Sequence, residues 1–476
     1  MKVLFVAYEV YPFAKVGGLA DVAGTLPKFL KKLGVDIEIV MPYHPGIGTR
    51  NIISTGLKLS TTYVENGYVF DAFESTLPDS DVRVFLLRNE ELIDSAEIYG
   101  GRDLGVQAMA FCDAVTSFIQ GRSYDVVHIN DWQTALVAPY LEDLGKSAPA
   151  RLFTIHNLGY QGDFSPDYFY RAGLPDRFFT YEGVLHYGKF NFLKSALIYA
   201  DVLNTVSKTY AEEIQTEEYG AGLHEVLRFR KDDLFGVLNG IDYDIYDPQR
   251  DIRLPYSFTV ENLDGKAKCK SALQQELKLE VSDRPLVSLI SRLVHQKGLD
   301  ILSDVVHNIV AHGVQMVVLG TGDNHFESVF RSVSKRYPEM VSVNLLFDQD
   351  LAQRIYAGSD MFLMPSLYEP CGLGQMFSMR YGTIPIVRYT GGLKDTVREF
   401  DEKLSTGNGF GFTEYSGDAL FEAVKRAVSY FDRKDIWRKI IKNAMETDCS
   451  WSRSADEYIT LYDSSINRRK EKFHNA

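Results

Sequence analysis

A repeated pattern constrains this chain more than any single residue does. Short apolar runs rich in Val, Ile, Leu and Phe recur along it, each followed by a stretch with helical periodicity: KVLFVAY, DIEIVMP, VRVFLLR, YDVVHIN and RLFTIHN in the first half. A strand buried on both faces reads as an unbroken apolar run, so this alternation predicts a parallel sheet covered by helices. A second series, PLVSLISRL, QMVVLGTGD, VSVNLLF, DMFLMPS and IPIVRYTGG, predicts a second such sheet. At 476 residues the chain exceeds one ordinary core, and two large domains follow. Between the series, GVLNGIDYDIYDPQRD carries Asn-Gly and Asp-Pro turn signals that mark a linker near residues 239 to 250.

Two helices can be drawn in detail. Leu19, Val22, Ala23, Leu26, Leu30 and Leu33 share one face of the first, with Pro27 inside it and expected to kink it. From Ser454 to Asn467 the positions Ala455, Tyr458, Ile459, Tyr462 and Ile466 describe a last helix, whose partner the pattern does not name. The fold class expected is α/β, with two Rossmann-like doubly wound domains. Ligands of such sheets bind outside the carboxyl ends of the strands, so a cleft where two such edges face is the expected active site.

Composition closes off other classes. A net charge of −13 lacks the basic field that holds a polyphosphate backbone, so no nucleic-acid partner is expected, and the basic tail NRRKEKFHNA reads as a solvated helix end. Cys112, Cys269, Cys371 and Cys449 are far apart with no C-x-x-C pair, which fits reduced thiols in a cytoplasm. The opening MKVLFVAYEV has six apolar residues before Glu9, too few for a signal peptide, and no later run reaches the ~18 residues of a membrane span. A soluble cytoplasmic protein without a membrane partner is expected.

Four motifs sit at strand ends. KVGGLADVAG places Lys15 before Gly17 and Gly18 at the mouth of a helix, where freed backbone N–H groups, the helix terminus and an ammonium suit a phosphate. Taken alone it reads rather as an ordinary βα turn with an incidental lysine, since it matches neither a Walker motif nor G-x-G-x-x-G. SRLVHQKGLD carries Arg292 and Lys297 five residues apart, able to clamp a pyrophosphate or to begin a solvated helix. In MPSLYEPCGLGQ, Glu369 on a tight turn can hold sugar hydroxyls or simply favour a helix dipole, and YTGGLKDTV repeats the Gly-Gly pattern with Gly391 and Gly392. TIHNLGYQGDF sets His156 and Asn157 before an aromatic stretch that suits either a sugar surface or a core. No G-x-S-x-G, H-E-x-x-H or metal-binding pattern is present.

In this order, KVGGLADV, DWQTAL, HNLGYQG, LNGID, SRL with QKG, PS with YEPCGLGQ, and TGGLKDTV resemble bacterial glycogen synthases and plant starch synthases. Those are retaining glucosyltransferases of the two-domain GT-B fold. The resemblance implies an N-terminal domain of residues 1–240, rejoined by the final helix of about 455–476, and a nucleotide-sugar-binding domain of 241–454. It implies that Lys15, Gly17 and Gly18 form the donor loop, that Arg292 and Lys297 take the diphosphate, and that Glu369 faces the donor glucose. Gly372 and Leu373 would offer backbone N–H groups, His156 would lie beside the transferred sugar, and Asp131, Asn157, Asn239, Gly391 and Gly392 would line the site. Three positions depart from the common pattern: Asn130 replaces the histidine of HDW, Gly374 a frequent threonine, and Phe347 the usual tyrosine stacked on the base.

The activity so implied transfers glucose from ADP-glucose or UDP-glucose to the 4-hydroxyl at the non-reducing end of an α-1,4-glucan such as glycogen. No cofactor and no metal are expected. A homo-oligomer stays open, as do a related transferase with a small acceptor and a non-catalytic protein that binds glucan or nucleotide sugar.

Overall fold

The computed structural model describes residues 1–47, 51–95 and 97–474. Its chain divides into two compact units: Met1–Gly240 with Trp451–Ala476, and Ile241–Ser450. The last two residues of the basic tail lie outside the described residues.

The first unit is built on a nine-stranded sheet. Its order is Leu234–Gly236, Val202–Thr205, Ala150–Ile155, Val126–Asn130, Lys2–Val6, Asp36–Pro42, Arg83–Arg88, Val69–Thr76 and Ile53–Ser60. The strands from Leu234–Gly236 to Arg83–Arg88 pair in parallel, and the last two form an antiparallel edge. Both faces are covered, which is why the strands read as unbroken apolar runs. Val3, Phe5 and Ala7 enter one core with Leu19, Val22, Leu26 and Leu30 of the helix Gly18–Lys32. Leu4, Val6 and Tyr8 enter the other, with Met109, Phe111 and Val115 of the helix Leu104–Ile119. The first helix continues through buried Pro27 to Lys32, and Leu33 is an exposed cap residue rather than part of the apolar face.

The final helix, Trp451–His474, begins three residues before the periodic stretch, because Trp451 is itself buried. Its partner is the sheet of the first unit. Trp451, Ala455, Tyr458 and Tyr462 join the core of Val3 and Phe5, the Tyr462 hydroxyl is hydrogen-bonded to His128 Nδ1 at 2.9 Å, and Asn204 Nδ2 donates to the Tyr458 hydroxyl at 3.1 Å. Burial holds His128 well below the usual histidine pKa, so this contact uses a neutral ring.

The second unit has six strands, all parallel, in the order Val341–Asn344, Gln315–Leu319, Leu286–Ile290, Met361–Met364, Ile384–Arg388 and Phe410–Phe412. The segment expected to be a linker is for the most part folded into this unit. Asp242, Asp247 and Asp251 each accept a backbone N–H two residues on, at 2.9, 3.1 and 3.1 Å, so its turn residues close local turns. Among the described residues no helix is long and apolar enough to cross a membrane.

Among its parallel strands each sheet has one place where the strand order reverses. In the first, Lys2–Val6 pairs with Asp36–Pro42 on one side and Val126–Asn130 on the other. In the second, Leu286–Ile290 lies between Gln315–Leu319 and Met361–Met364. Loops leaving the carboxyl ends of two neighbouring strands part at such a point and leave a crevice. The four loops concerned begin near Ala7, Asp131, Ser291 and Pro365.

Candidate active site

At the first switch point the Lys15 loop is organised around a carboxylate that the motif reading passed over. Glu9, buried just after the first strand, accepts the N–H of Val16 at 2.5 Å and of Gly17 at 3.0 Å through Oε2, while Tyr99 donates to Oε1 at 2.9 Å. Burial raises the Glu9 pKa and these donors oppose the shift. The Gly17 amide, expected to meet an external anion, is therefore committed to an internal one. Gly17 has extended backbone with φ −130° and precedes the helix that Gly18 begins. The Lys15 ammonium pairs with Asp21 Oδ1 at 2.6 Å and lies over the Tyr11 ring, 5.4 Å from its centroid. Burial raises the Asp21 pKa, and Lys15 counters it.

Asp131, the first residue beyond the strand Val126–Asn130, has left-handed backbone with φ 57°. Its Oδ1 accepts the N–H of His156 at 2.7 Å and of Asn157 at 3.4 Å, joining the ends of two neighbouring strands. Desolvation pushes the Asp131 pKa up to about 7, with the Glu9 charge adding to it. The His156 ring contacts Asn130, with Nε2 and Oδ1 2.9 Å apart. Asn130 Nδ2 already donates to the carbonyls of Val6 at 3.0 Å and His128 at 3.3 Å, so its Oδ1 must accept. His156 thus carries its proton on Nε2, and burial pushes its pKa down to about 3, leaving Nδ1 as an acceptor. The asparagine that departs from the HDW pattern therefore fixes one histidine tautomer. Asn157 uses its side-chain oxygen to close a turn onto Gly159 N at 2.9 Å. Asn239 is buried, and its Oδ1 has no hydrogen-bond partner among the described residues.

At the second switch point, two residues from separate motifs form one pair. Lys297 Nζ lies 2.7 Å from Glu369 Oε2, and Ser366 Oγ donates to the same oxygen at 2.9 Å. Glu369 is only 6 % exposed. Gly298, with φ 69°, makes this approach feasible, because a Cβ there would stand 2.0 Å from the Pro365 carbonyl oxygen. Arg292 is exposed in the same loop, one residue after Ser291. Gly372, at φ 72°, leads into the helix Gly374–Arg380, and among the described residues the N–H groups of Gly372 and Leu373 meet no backbone or side-chain acceptor. Phe347 is 74 % exposed beyond the strand Val341–Asn344. Gly374 has its own steric reason: a Cβ there would meet the Phe362 ring at 2.8 Å.

Gly391 and Gly392 serve a different purpose from the one expected of them. A Cβ on Gly391 would stand 2.0 Å from the Glu369 carbonyl oxygen, and one on Gly392 would stand 2.2 Å from that of Cys371. The Gly392 N–H donates to the Glu369 carbonyl at 3.1 Å. These glycines hold the turn that carries Glu369. The motif reading missed Glu9, Asp21, Tyr99 and Ser366 as site residues; Glu9 had one visible signal, a carboxylate at the end of an otherwise apolar buried run.

Residues 2–229 match the starch synthase catalytic domain family, and residues 273–445 match the glycosyl transferases group 1 family. A glycogen synthase of Kosmotoga olearia is 53% identical over 471 residues, covering 99% of both chains. One from Thermotoga maritima is 52% identical, covering 98% of this chain and 99% of its own. Among solved structures, the catalytic domain of starch synthase IV from Arabidopsis thaliana, bound to ADP and acarbose, superposes with a TM-score of 0.92 at 32% identity, covering 98% of this chain and 99% of that one. Sucrose-phosphate synthase from Thermosynechococcus elongatus shares the fold alone, with a TM-score of 0.63 at 17% identity over the whole of both chains.

Proposed function

The chain belongs to the glycogen synthase and starch synthase family of GT-B glycosyltransferases, and on that premise we propose that it transfers glucose from ADP-glucose to the non-reducing 4-hydroxyl of an α-1,4-glucan with retention of configuration. The observation that carries this reading is the pair of half-buried Lys297 and buried Glu369 at the second sheet's switch point. A carboxylate already oriented by an ammonium and a hydroxyl can accept hydrogen bonds from sugar hydroxyls through its remaining lone pairs. The ADP held by the starch synthase IV structure supports an adenine nucleotide as donor.

In the proposed reaction the bond between the glucose anomeric carbon and the β-phosphate oxygen breaks, and a bond from that carbon to the acceptor 4-oxygen forms. The acceptor proton passes to a departing phosphate oxygen. Negative charge grows on the diphosphate, and Lys15, Arg292 and Lys297 are the cations assigned to it. Lys297 and Ser366 both hold Glu369 through Oε2, which leaves Oε1 to accept from sugar hydroxyls, and on this reading Glu369 orients the donor while the acceptor attacks on the same face as departure. The Nδ1 acceptor of His156 suits a sugar hydroxyl, and Asn239 Oδ1 is a second buried acceptor for one. Three cations make a metal unnecessary in this scheme, and the reaction is expected to run in excess chelator.

The test incubates the protein with labelled ADP-glucose or UDP-glucose and glycogen, and counts label in the precipitated polymer. Incorporation from ADP-glucose, released by an enzyme that cleaves α-1,4 links, is the expected result. No incorporation from either donor would sink the reading, and trapping a glucosyl ester on Glu369 would overturn its mechanism.

A further inference from the structure

One aromatic residue sits where the backbone resists it. The strands Leu185–His186 and Lys189–Asn191 pair antiparallel, with His186 opposite Lys189, so Tyr187 and Gly188 alone make the turn. Their φ values are 46° and 75°, the two positive angles that such a hairpin demands and that asparagine followed by glycine meets best. A bulky side chain at positive φ is a true outlier, and Tyr187 is the one aromatic residue in that state among the described residues. Its ring gains little in return, being 78 % exposed and touching His186 with centroids 4.4 Å apart. Strain that packing does not explain is a pointer to function.

The ring borders a concavity of about 470 Å³ lined by Trp132, Tyr160, Gln161, Asp163, His186 and Tyr187 among others. Its polar members are held in place. Asn191, fully buried, donates to Gln161 Oε1 and to Asp163 Oδ1, both at 2.8 Å, and Gln161 Nε2 donates to the Ala221 carbonyl at 2.8 Å. Ala221, which also lines the concavity, is left-handed too at φ 47°. The hairpin is braced by Lys194, whose buried ammonium donates to the carbonyls of Tyr181 at 2.5 Å and Leu185 at 2.6 Å. Burial and the Lys194 charge lower the His186 pKa, leaving a neutral ring that can both donate and accept. An exposed aromatic face beside fixed amide, carboxylate and imidazole groups is the chemistry of a neutral sugar ring, apolar on its faces and hydroxylated at its edge. It does not suit a phosphate, since Asp163 would repel one. The loop Gly159–Gly162 that forms one wall begins at His156 and Asn157, so the concavity adjoins the first unit's site residues along the chain.

We propose that Tyr187 is a stacking platform for one glucose unit of a bound α-1,4-glucan, with Gln161, Asp163 and His186 addressing its hydroxyls. This rests on the glucan reading above and adds to it a residue that grips the polymer away from the bond being made.

The position permits a clean test, because Tyr187→Asn relieves the strain while removing the ring. With maltoheptaose as probe, the full-length variant is expected to bind at least fivefold more weakly and to show a KM for glycogen raised by a similar factor. Its Tm should not fall, and its KM for the nucleotide sugar should stay within twofold. Tyr187→Phe keeps the face and should keep the affinity. Unchanged maltoheptaose affinity in Tyr187→Asn, or an equal loss in Tyr170→Ala, an exposed tyrosine elsewhere on the first unit, would overturn the proposal. Wild-type protein that transfers glucose while Tyr187→Asn keeps its KM for glycogen would refute this inference alone. Wild-type protein that neither transfers glucose nor binds maltoheptaose would refute the glucan reading as well.

Discussion

The two Gly-Gly loops look alike in sequence and differ in physics. Each follows a strand and opens a helix, KVGGLADV in the first unit and YTGGLKDTV in the second. In the first, Gly17 has extended backbone, and a Cβ there would stand at an ordinary 3.4 Å from Glu9 Oε1. In the second, both glycines lie against backbone, and any Cβ would stand 2.0 or 2.2 Å from a carbonyl oxygen. The first loop is held by a buried carboxylate that takes two amides, the second by main chain packed on main chain. A glycine pair at a helix mouth therefore does not by itself predict close approach: backbone packs against Gly391 and Gly392, whereas Gly17 has room for a side chain.

Mutations can break this contrast. Lys15→Ala should cost most, about 3 to 4 kcal/mol of barrier or roughly a hundredfold to a thousandfold in rate. Activity within threefold of wild type would remove Lys15 from the reaction. Gly391→Ala comes next in size and acts on folding, because an added methyl must push the Glu369 carbonyl aside at positive φ. A loss of about 3 kcal/mol in denaturant unfolding is expected. Glu9→Ala leaves the Val16 and Gly17 amides and the Tyr99 hydroxyl without their acceptor, and a destabilisation of about 2 kcal/mol follows, with the Lys15 loop loosened. Amide exchange at Val16 and Gly17 would report that loosening directly. Gly17→Ala closes the series with less than about 1 kcal/mol, since neither φ nor space opposes it. Equal effects at Gly17 and Gly391 would erase the distinction.

A pH experiment sharpens the first unit's half of the comparison. Asp131 titrates near 7 when folded, above its value in the unfolded chain, so the folded state holds the proton more tightly. That contribution to stability is complete below about pH 4 and is lost as pH rises through 7. Asp131→Asn should remove this contribution, so its Tm should gain on that of the wild type between pH 5 and 7.5, and a constant difference would refute the assignment. His156 acts in the opposite sense: its pKa is pushed down to about 3 in the folded protein, so its contribution to stability grows as pH rises towards the ordinary histidine value near 6.5, equally in wild type and in Asp131→Asn.

Much of this architecture could be read from the chain. The alternation of apolar runs and helical stretches is a local property, and it pointed to parallel sheets because a strand covered on both faces has no polar side to show. The half-exposed strands Val69–Thr76 and Ile53–Ser60 lack that signal and form the antiparallel edge it did not foretell. The motifs were legible for a related reason: strand ends, glycines and charges stand close together in sequence. Other features depended on encounters that no local pattern encodes. Lys297 and Glu369 are 72 residues apart and meet because the strands before them are neighbours in one sheet. Glu9 and Tyr99 are 90 apart, and Leu33, placed on the apolar face by its spacing, is exposed because the helix ends before it. Sequence by itself determined the fold class and the family, and it named the charged residues Lys15, Arg292, Lys297 and Glu369 of the candidate site. Tertiary structure decided which of those charges are already paired, which tautomer His156 holds, and which glycines are indispensable, because each depends on distances across the fold that spacing along the chain does not contain.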